Sequence, residues 1–159
     1  QAIRSLLLDT SKEINPDSIT ELLLYAADRA QHINEIIRPS LNKGDWVISD
    51  RFCGSTLAYQ GYGRKLDIKL IKDLETIATQ GISPDITFLL DIPVDESIKR
   101  RMNREEDRME KEGREFLSHV SQGFKMLSKN HKWKTISALK AKEDIFSDVK
   151  YEMNKLLKD

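Results

Sequence analysis

The sequence predicts an α/β fold built on a parallel sheet. Short apolar segments rich in β-branched and aromatic residues alternate with longer segments in which apolar residues recur every three or four positions. The two clearest strands are separated by a helix-length connection, which favours a parallel pair with a right-handed crossover. The alternation of helix and strand therefore indicates the α/β class.

The first predicted helix occupies residues 21–41. Pro39 is expected to kink it or end it early, and Gly44 marks its end. Its apolar stripe consists of Leu22, Ala26, Ala30, Ile33, Ile37 and Leu41.

Two buried strands are predicted next, at residues 46–50 and 87–92, each bounded by turn-forming residues. Between them, residues 66–80 predict a helix that closes at Gly81. The apolar face of this helix consists of Leu66, Leu70, Ile71, Leu74, Ile77 and Ala78.

A charged segment, residues 99–115, follows Pro93 and precedes a helix, the short strand KTIS and a last helix. The inward side chains of the first of these helices are predicted to be Phe116, Leu117, Val120, Phe124 and Leu127. Those of the last helix are predicted to be Ile145, Val149, Met153, Leu156 and Leu157.

Composition limits the classes of partner. With 159 residues, 39% of them apolar, one compact domain is expected. Lysine plus arginine equals aspartate plus glutamate at 26 each, so no net charge draws the chain to nucleic acid or to an anionic membrane. The longest apolar run, residues 22–27, is far below the roughly 20 residues of a membrane span. A single cysteine, Cys53, excludes an internal disulfide and fits a cytoplasmic protein.

The end of the strand at residues 46–50 is the first candidate site, because ligands of parallel sheets bind beyond the carboxyl ends of strands. Arg51 could hold a phosphate or carboxylate, and Asp50 a cation or a metal-bound water; a simple ion pair is the alternative. The polar and aromatic mixture that suits a nucleobase or a sugar follows in Ser55, Thr56, Tyr59 and Gln60.

Two further groups of side chains are candidates. Tyr25 and Arg29 share one helix face at a spacing of four residues, so a ring and a guanidinium could hold a planar heterocycle; a core aromatic beside a surface arginine is the alternative. The charged segment could be a solvated helix face or a flap whose arginines serve phosphoryl transfer. The three histidines have no metal-ligand spacing, which disfavours a zinc site.

Four segments, YAADRAQH, VISDRF, STLAYQG and DRME, resemble the thymidylate kinase family in their order and spacing, over essentially the whole chain. The resemblance implies a three-layer parallel-sheet P-loop kinase fold. It also implies phosphoryl transfer from ATP, with Mg²⁺, to dTMP, which gives dTDP for dTTP biosynthesis. A homodimer is expected, since the family is commonly dimeric.

The resemblance assigns a role to individual residues. Tyr25 takes the place of the aromatic that stacks on thymine, and Arg29 that of the arginine that contacts a thymine oxygen. Arg51 is expected to hold the dTMP phosphate, and Asp50 to organise the phosphate and magnesium surroundings. Ser55 and Thr56 fall beside the thymine ring, Gln60 closes the base site, and the bulk of Tyr59 disfavours ribonucleotides.

Arg101, Arg104 and Arg108 match the lid of the family. In the bacterial subgroup with a catalytic lid arginine, Arg104 or Arg108 would approach the transferring phosphoryl group, and Arg101 and Arg104 would contact ATP. The single domain then divides into an acceptor-binding core at residues 1–98, a lid at residues 99–115, and C-terminal helices with the last strand at residues 116–159.

One family motif does not occur in the sequence, the phosphate-binding loop G-x-x-x-x-G-K-[ST]. QAIRSLLLD resembles the sequence just downstream of that loop, so the first strands and the loop are expected to be missing. Loss of a central strand would leave two inner strand edges unpaired. A deoxynucleoside kinase of related fold, or a noncatalytic nucleotide-binding or interaction fragment, are the alternative functions.

Overall fold

The computed structural model describes Ile3, Leu7 and residues 16–102 and 106–157. Helix α1 spans Ser18–His32 and passes through a π-helical turn, Ile33–Ile37, into α2, Arg38–Asn42. Helix α3, Cys53–Thr56, likewise continues into a π-helical segment, Leu57–Gly63.

The remaining elements alternate as the sequence predicts. Helix α4 spans Ile68–Thr79, strand β1 Thr87–Asp91 and helix α5 Val94–Arg101. A 3₁₀ turn, Glu110–Glu112, leads into α6, Gly113–Leu127, which is followed by strand β2, Trp133–Ser137, and helix α7, Lys142–Leu156.

Strands β1 and β2 form a parallel pair, in register from Thr87 opposite Trp133 to Asp91 opposite Ser137. Within the described residues the sheet has two strands. Helices α5 and α6 form the connection between them. The parallel α/β arrangement predicted from the alternation of elements is confirmed.

The predicted strand at residues 46–50 is wrong. These residues form no regular secondary structure and pair with no strand among the residues that the structure describes, and Trp46 and Ile48 are 65% and 96% exposed. A strand depends on a neighbouring ladder and on a face to cover its side chains, and a favourable local composition supplies neither. The Asp50-Arg51 pair therefore follows an exposed segment instead of a buried strand.

Pro39 does not end the first helix. It lies at the start of α2, which continues the helix directly from the π-helical turn. The π-helical turn at Ile33–Ile37 comes immediately before it and adjusts the backbone where the proline ring would otherwise crowd a preceding carbonyl.

The main core forms where α6 packs against the segment Leu57–Gly63. Its buried members are Ala58, Met109, Phe116 and Val120, and its partly buried members are Tyr59, Leu117, Phe124 and Leu127. All five inward residues predicted for α6 belong to this core. It fixes one face of the segment that carries the candidate site.

The stripes predicted for α4 and α7 are only partly buried. Ile71 and Ala78 of α4 are buried, but Leu70 and Ile77 are 41% and 72% exposed. No residue of α7 is buried, and Leu157 just beyond it is 61% exposed. No helix among the described residues is long and apolar enough to cross a membrane.

Candidate functional site

Arg51 turns the chain from the exposed segment into α3. Its φ of 73° lies in the left-handed region, which a residue with a Cβ rarely adopts and which stores about 1–3 kcal/mol of strain. The Ser49 hydroxyl donates to the Arg51 carbonyl oxygen over 2.9 Å and supports the turn. Strain of this kind is concentrated at functional sites.

The Arg51 side chain lies along the first turns of the helical segment that follows. Its Nε donates to Ser55 Oγ over 3.2 Å, and its guanidinium lies 4.4 Å from the centre of the Tyr59 ring. Tyr59 in turn packs edge-on against Phe116, at 6.1 Å between ring centres. The core thus supports an exposed cation through an aromatic ring.

Asp50 and Arg51 do not form the ion pair that was the alternative interpretation. Both are exposed, and neither has a salt bridge within the described ranges 16–102 and 106–157. Arg51 therefore presents an uncompensated charge to solvent. Such a guanidinium can take a phosphate through two parallel hydrogen bonds.

Arg29 contacts the residue next to this site. Its Nη2 donates to Thr56 Oγ1 over 2.7 Å, and Thr56 directly follows the Ser55 that Arg51 contacts. Its guanidinium also lies 5.0 Å from the centre of the Phe52 ring. The structure therefore brings Arg29, Thr56, Ser55 and Arg51 together; their roles in binding a ligand remain predictions.

Glu75 of α4 pairs with Arg29, a contact that the sequence did not reveal. Arg29 Nε and Glu75 Oε2 are 2.7 Å apart, and the two side chains are 12% and 7% exposed. Neither Glu75 oxygen accepts a well-aligned hydrogen bond from the residues that the structure describes, because the Arg29 N–H is not directed at the carboxylate. The pair is held by charge attraction at short range.

Cys53 lies beside this pair. Burial raises the pKa of the Cys53 thiol from 9.0 to about 12, and the negative charge of Glu75 adds to the effect of burial. The thiol is therefore neutral at physiological pH and acts as a small apolar group.

Alkylation of Cys53 should be very slow below pH 10 and should accelerate about tenfold per pH unit up to about pH 12. In Glu75→Gln the thiol pKa should fall but stay above 9.0, since burial is the larger cause. Mass spectrometry of iodoacetamide adducts measures the alkylation rates of the wild type and of Glu75→Gln, with the urea-unfolded chain as the reference. Equal alkylation rates in the folded and unfolded chains at pH 8 would contradict the burial of this thiol.

Tyr25 and Gln60 border a second, buried part of the site. Burial raises the pKa of the Tyr25 hydroxyl, and the nearby Glu21 carboxylate adds to the effect. Gln60 is 1% exposed, and its Nε2 donates to Glu21 Oε1 over 2.8 Å. The structure therefore places the Gln60 amide against Glu21; its predicted contact with a base remains a prediction.

Glu21 is the residue that sequence reasoning missed. Its side chain is fully buried and also pairs with Arg64, whose Nη2 lies 3.2 Å from Glu21 Oε2 and 2.6 Å from Glu112 Oε1. Burial would lower the pKa of the Arg64 guanidinium, but its hydrogen bonds to Glu112 and Glu21 raise it. A signal was present, since Glu21, Tyr25 and Arg29 follow one another at four-residue spacing on one helix face.

The arginines that the resemblance assigns to a lid have different surroundings. Arg101 pairs with Glu110 over 2.9 Å, and both side chains are 12% exposed. Arg108 pairs with Glu21, and Arg104 lies outside the described residues. The charged segment is therefore not a simple solvated helix face where Arg101 and Arg108 lie.

A metal ion would find few protein ligands here. No group of three or more histidine, cysteine, aspartate or glutamate side chains that could hold one occurs in the described part of the chain. Mg²⁺, however, is commonly held by one or two carboxylates together with substrate phosphates and water. The exposed Asp50 carboxylate beside Arg51 fits that mode of binding.

A family model and individual known proteins, compared with this chain, agree with each other. A family model described as thymidylate kinase matches residues 1–149. A thymidylate kinase from Prochlorococcus marinus strain NATL2A is 75% identical over 159 residues, which are 100% of this chain and 75% of that relative. The thymidylate kinase of strain AS9601 is 53% identical over 148 residues, 93% of this chain and 70% of the relative. That of strain MIT 9515 is 50% identical over 157 residues, 99% of this chain and 75% of the relative.

Proposed function

Since this chain belongs to the thymidylate kinase family, we propose that it catalyses phosphoryl transfer from ATP to dTMP and binds dTMP along the first turns of α3. One observation carries the proposal. Among the described residues the exposed Arg51 guanidinium has no carboxylate partner and donates to Ser55, and Arg29 donates to Thr56, the next residue of the same helical segment. This arrangement matches a ligand with a phosphate at one end and a planar, oxygen-bearing ring at the other.

The phosphate end is assigned to Arg51. A phosphate that replaces solvent at its Nη groups gains charge-assisted hydrogen bonds, while the contacts to Ser55 and Tyr59 fix the side chain beforehand. Catalysis of phosphoryl transfer depends mostly on such positioning and on electrostatic stabilisation.

The base end is assigned to Arg29 and Thr56, with Tyr25 stacking on the ring and Ser55 and Gln60 bordering it. Arg29 donates only, so it favours a base that presents an oxygen at that position and disfavours one that presents an amino group. Tyr59 is assigned to the sugar, where its ring would clash with a 2′-hydroxyl.

The donor side is assigned to the lid, residues 99–115, between an acceptor-binding core at residues 1–98 and the C-terminal elements at residues 116–159. Arg101 and Arg104 would contact phosphates of ATP. Asp50 would hold Mg²⁺, which supplies charge neutralisation at the phosphate oxygens. The pattern G-x-x-x-x-G-K-[ST] does not occur in these 159 residues, so the ATP contacts proposed here are those of the lid alone.

We further propose a cytoplasmic homodimer that acts on free nucleotides and not on nucleic acid. Equal numbers of acidic and basic residues, 26 each, support the last point, since nucleic-acid binding depends on a positive surface.

Initial rates of phosphoryl transfer from ATP to a panel of acceptors test the function. The full-length protein should use dTMP with the highest kcat/KM, and dCMP about 100-fold less well, since its amino group faces Arg29. The ribonucleotide of thymine should be about 10-fold poorer because of Tyr59. Thymidine should not be phosphorylated at a measurable rate; faster transfer to thymidine than to dTMP would instead identify a deoxynucleoside kinase.

A further inference from the structure

The carboxylate of Glu21 binds groups from two other parts of the chain. It is fully buried in α1, and it accepts from Gln60 Nε2 at 2.8 Å, from Arg64 Nε and Nη2 at 3.3 and 3.2 Å, and from Arg108 Nη2. A buried carboxylate is tolerated only with partners of this kind. Glu21 therefore connects the segment that carries the acceptor site to the lid.

The DRME motif, residues 107–110, forms a local structure of its own within the lid. The Asp107 side chain accepts from the Glu110 backbone N–H at 2.9 Å, and the Glu110 side chain accepts from the Asp107 backbone N–H at 3.1 Å. This reciprocal pair is a capping box. Met109 between them is 3% exposed and belongs to the main core. This part of the lid is thus fixed by packing and by hydrogen bonds.

Arg108 has all three guanidinium nitrogens directed at protein acceptors. Its Nε donates to the Leu7 carbonyl oxygen at 3.0 Å, its Nη1 to the Pro16 carbonyl oxygen at 3.4 Å, and its Nη2 to Glu21. The side chain is 12% exposed. Three of the five N–H groups of Arg108 are thus used by protein acceptors, and a phosphate that drew the side chain away would leave Glu21 with one cation fewer in a buried position.

We propose that Arg108 anchors the lid to Glu21 and is a positioning residue. Glu21 is the second positioning residue, since the same carboxylate holds the Gln60 amide at the base end of the acceptor site. Binding of a ligand at the acceptor site and the position of the lid are then coupled through the buried Glu21 carboxylate. The kinetic consequences of this inference rest on the proposed function, whereas the anchoring of Arg108 by Glu21 does not.

A kinetic double-mutant cycle in the full-length protein separates anchoring from direct contact. The variants are Glu21→Gln, Arg108→Met and the two combined, each measured for kcat and for the KM of dTMP and ATP. Anchoring predicts that each single change lowers kcat by about 10- to 100-fold through misplacement of the lid. The double variant should be no slower than the slower single variant, because both changes break the same contact.

Direct contact with the transferring phosphoryl group predicts a different pattern. Arg108→Met alone would lower kcat by about 10³-fold or more, as loss of an arginine at the transition state does. Glu21→Gln would then leave kcat nearly unchanged. That result would overturn the proposal. If a charge-removing variant fails to fold, Glu21→Asp replaces it: anchoring predicts a lower kcat because the shortened side chain displaces Arg108, and an unchanged kcat contradicts it.

Limited proteolysis tests the anchor without any activity. Trypsin cleavage within residues 99–114 of the nucleotide-free protein, followed by mass spectrometry, should be about tenfold faster in Glu21→Gln than in the wild type. The matched control is Asp95→Asn, which removes an exposed lid-side pair with Arg114, 70% and 69% exposed, and should change the rate by less than about twofold. Equal lid cleavage in the wild type and Glu21→Gln would overturn the anchor, whereas absence of dTMP phosphorylation in the wild type would instead refute the proposed function.

Discussion

Replacing Arg51 with alanine should weaken dTMP binding by about 100-fold, because two charge-assisted hydrogen bonds of about 1.5 kcal/mol each are lost. ATP binding should be unchanged, since no donor contact is assigned to this side chain. Isothermal titration of each nucleotide into the full-length variant measures both effects. The backbone strain at Arg51, with φ at 73°, is not relieved by alanine, so the comparison reports on the side chain.

The matched control for this change is Arg38→Ala. Arg38 is a cation of the same kind whose Nη2 bonds to Gln80 Oε1 at 2.7 Å, on a helix that carries no assigned site residue. Its removal should leave dTMP affinity within about twofold. Wild-type affinity for dTMP in Arg51→Ala would refute the phosphate assignment.

Replacing Arg29 with methionine should lower the free energy of unfolding by about 3–5 kcal/mol, because Glu75 would be left as a buried charge without its cation. The combination Arg29→Met with Glu75→Leu should recover most of that loss, since an apolar pair of similar volume satisfies the same space. Urea unfolding followed by circular dichroism measures the free energy of unfolding of the wild type and of both variants.

A second readout distinguishes stability from recognition. The combined variant is expected to fold but lacks the Arg29 guanidinium as a donor at the base end, so its dTMP affinity should remain below that of the wild type. A combined variant as unstable as Arg29→Met would contradict the ion-pair explanation. Full dTMP affinity in a folded combined variant would contradict the base assignment.

Sequence patterns predicted the parts of the fold whose causes are local. The stripe of α6 is strongly periodic, and all its predicted inward residues pack in the main core. Strands β1 and β2 have turn formers at their ends, and both form. The segment at residues 46–50 has an equally favourable composition, yet no ladder partner exists for it in the part of the chain that the structure describes, and its side chains stay exposed.

In the candidate site too, contacts between residues close in sequence were predictable and contacts between distant residues were not. Arg51, Ser55 and Thr56 lie within six residues of one another, so the sequence placed them in one candidate site, and the structure joins Arg51 to Ser55 by a hydrogen bond. Glu21 and Arg64 are 43 residues apart, and Glu21 and Arg108 are 87 apart. No local pattern pairs a buried carboxylate with partners so distant.

The charged segment illustrates a further limit of sequence patterns. Interleaved acids and bases predict a solvated helix face as readily as a lid. The structure distinguishes these at Arg101, Arg108 and Glu110, whose side chains are each 12% exposed. Burial depends on the surface against which the segment folds, and the sequence of the segment does not contain that surface.

The most direct test of the central claim is a crystal structure of the full-length protein with dTMP bound. We expect phosphate oxygens within hydrogen-bonding distance of the Arg51 guanidinium, about 2.7–2.9 Å, and the thymine ring beside Arg29 and Thr56. We also expect Arg108 to remain on Glu21. A nucleotide bound in the opposite orientation, with its phosphate at Arg29, or bound away from α3 would contradict the claim.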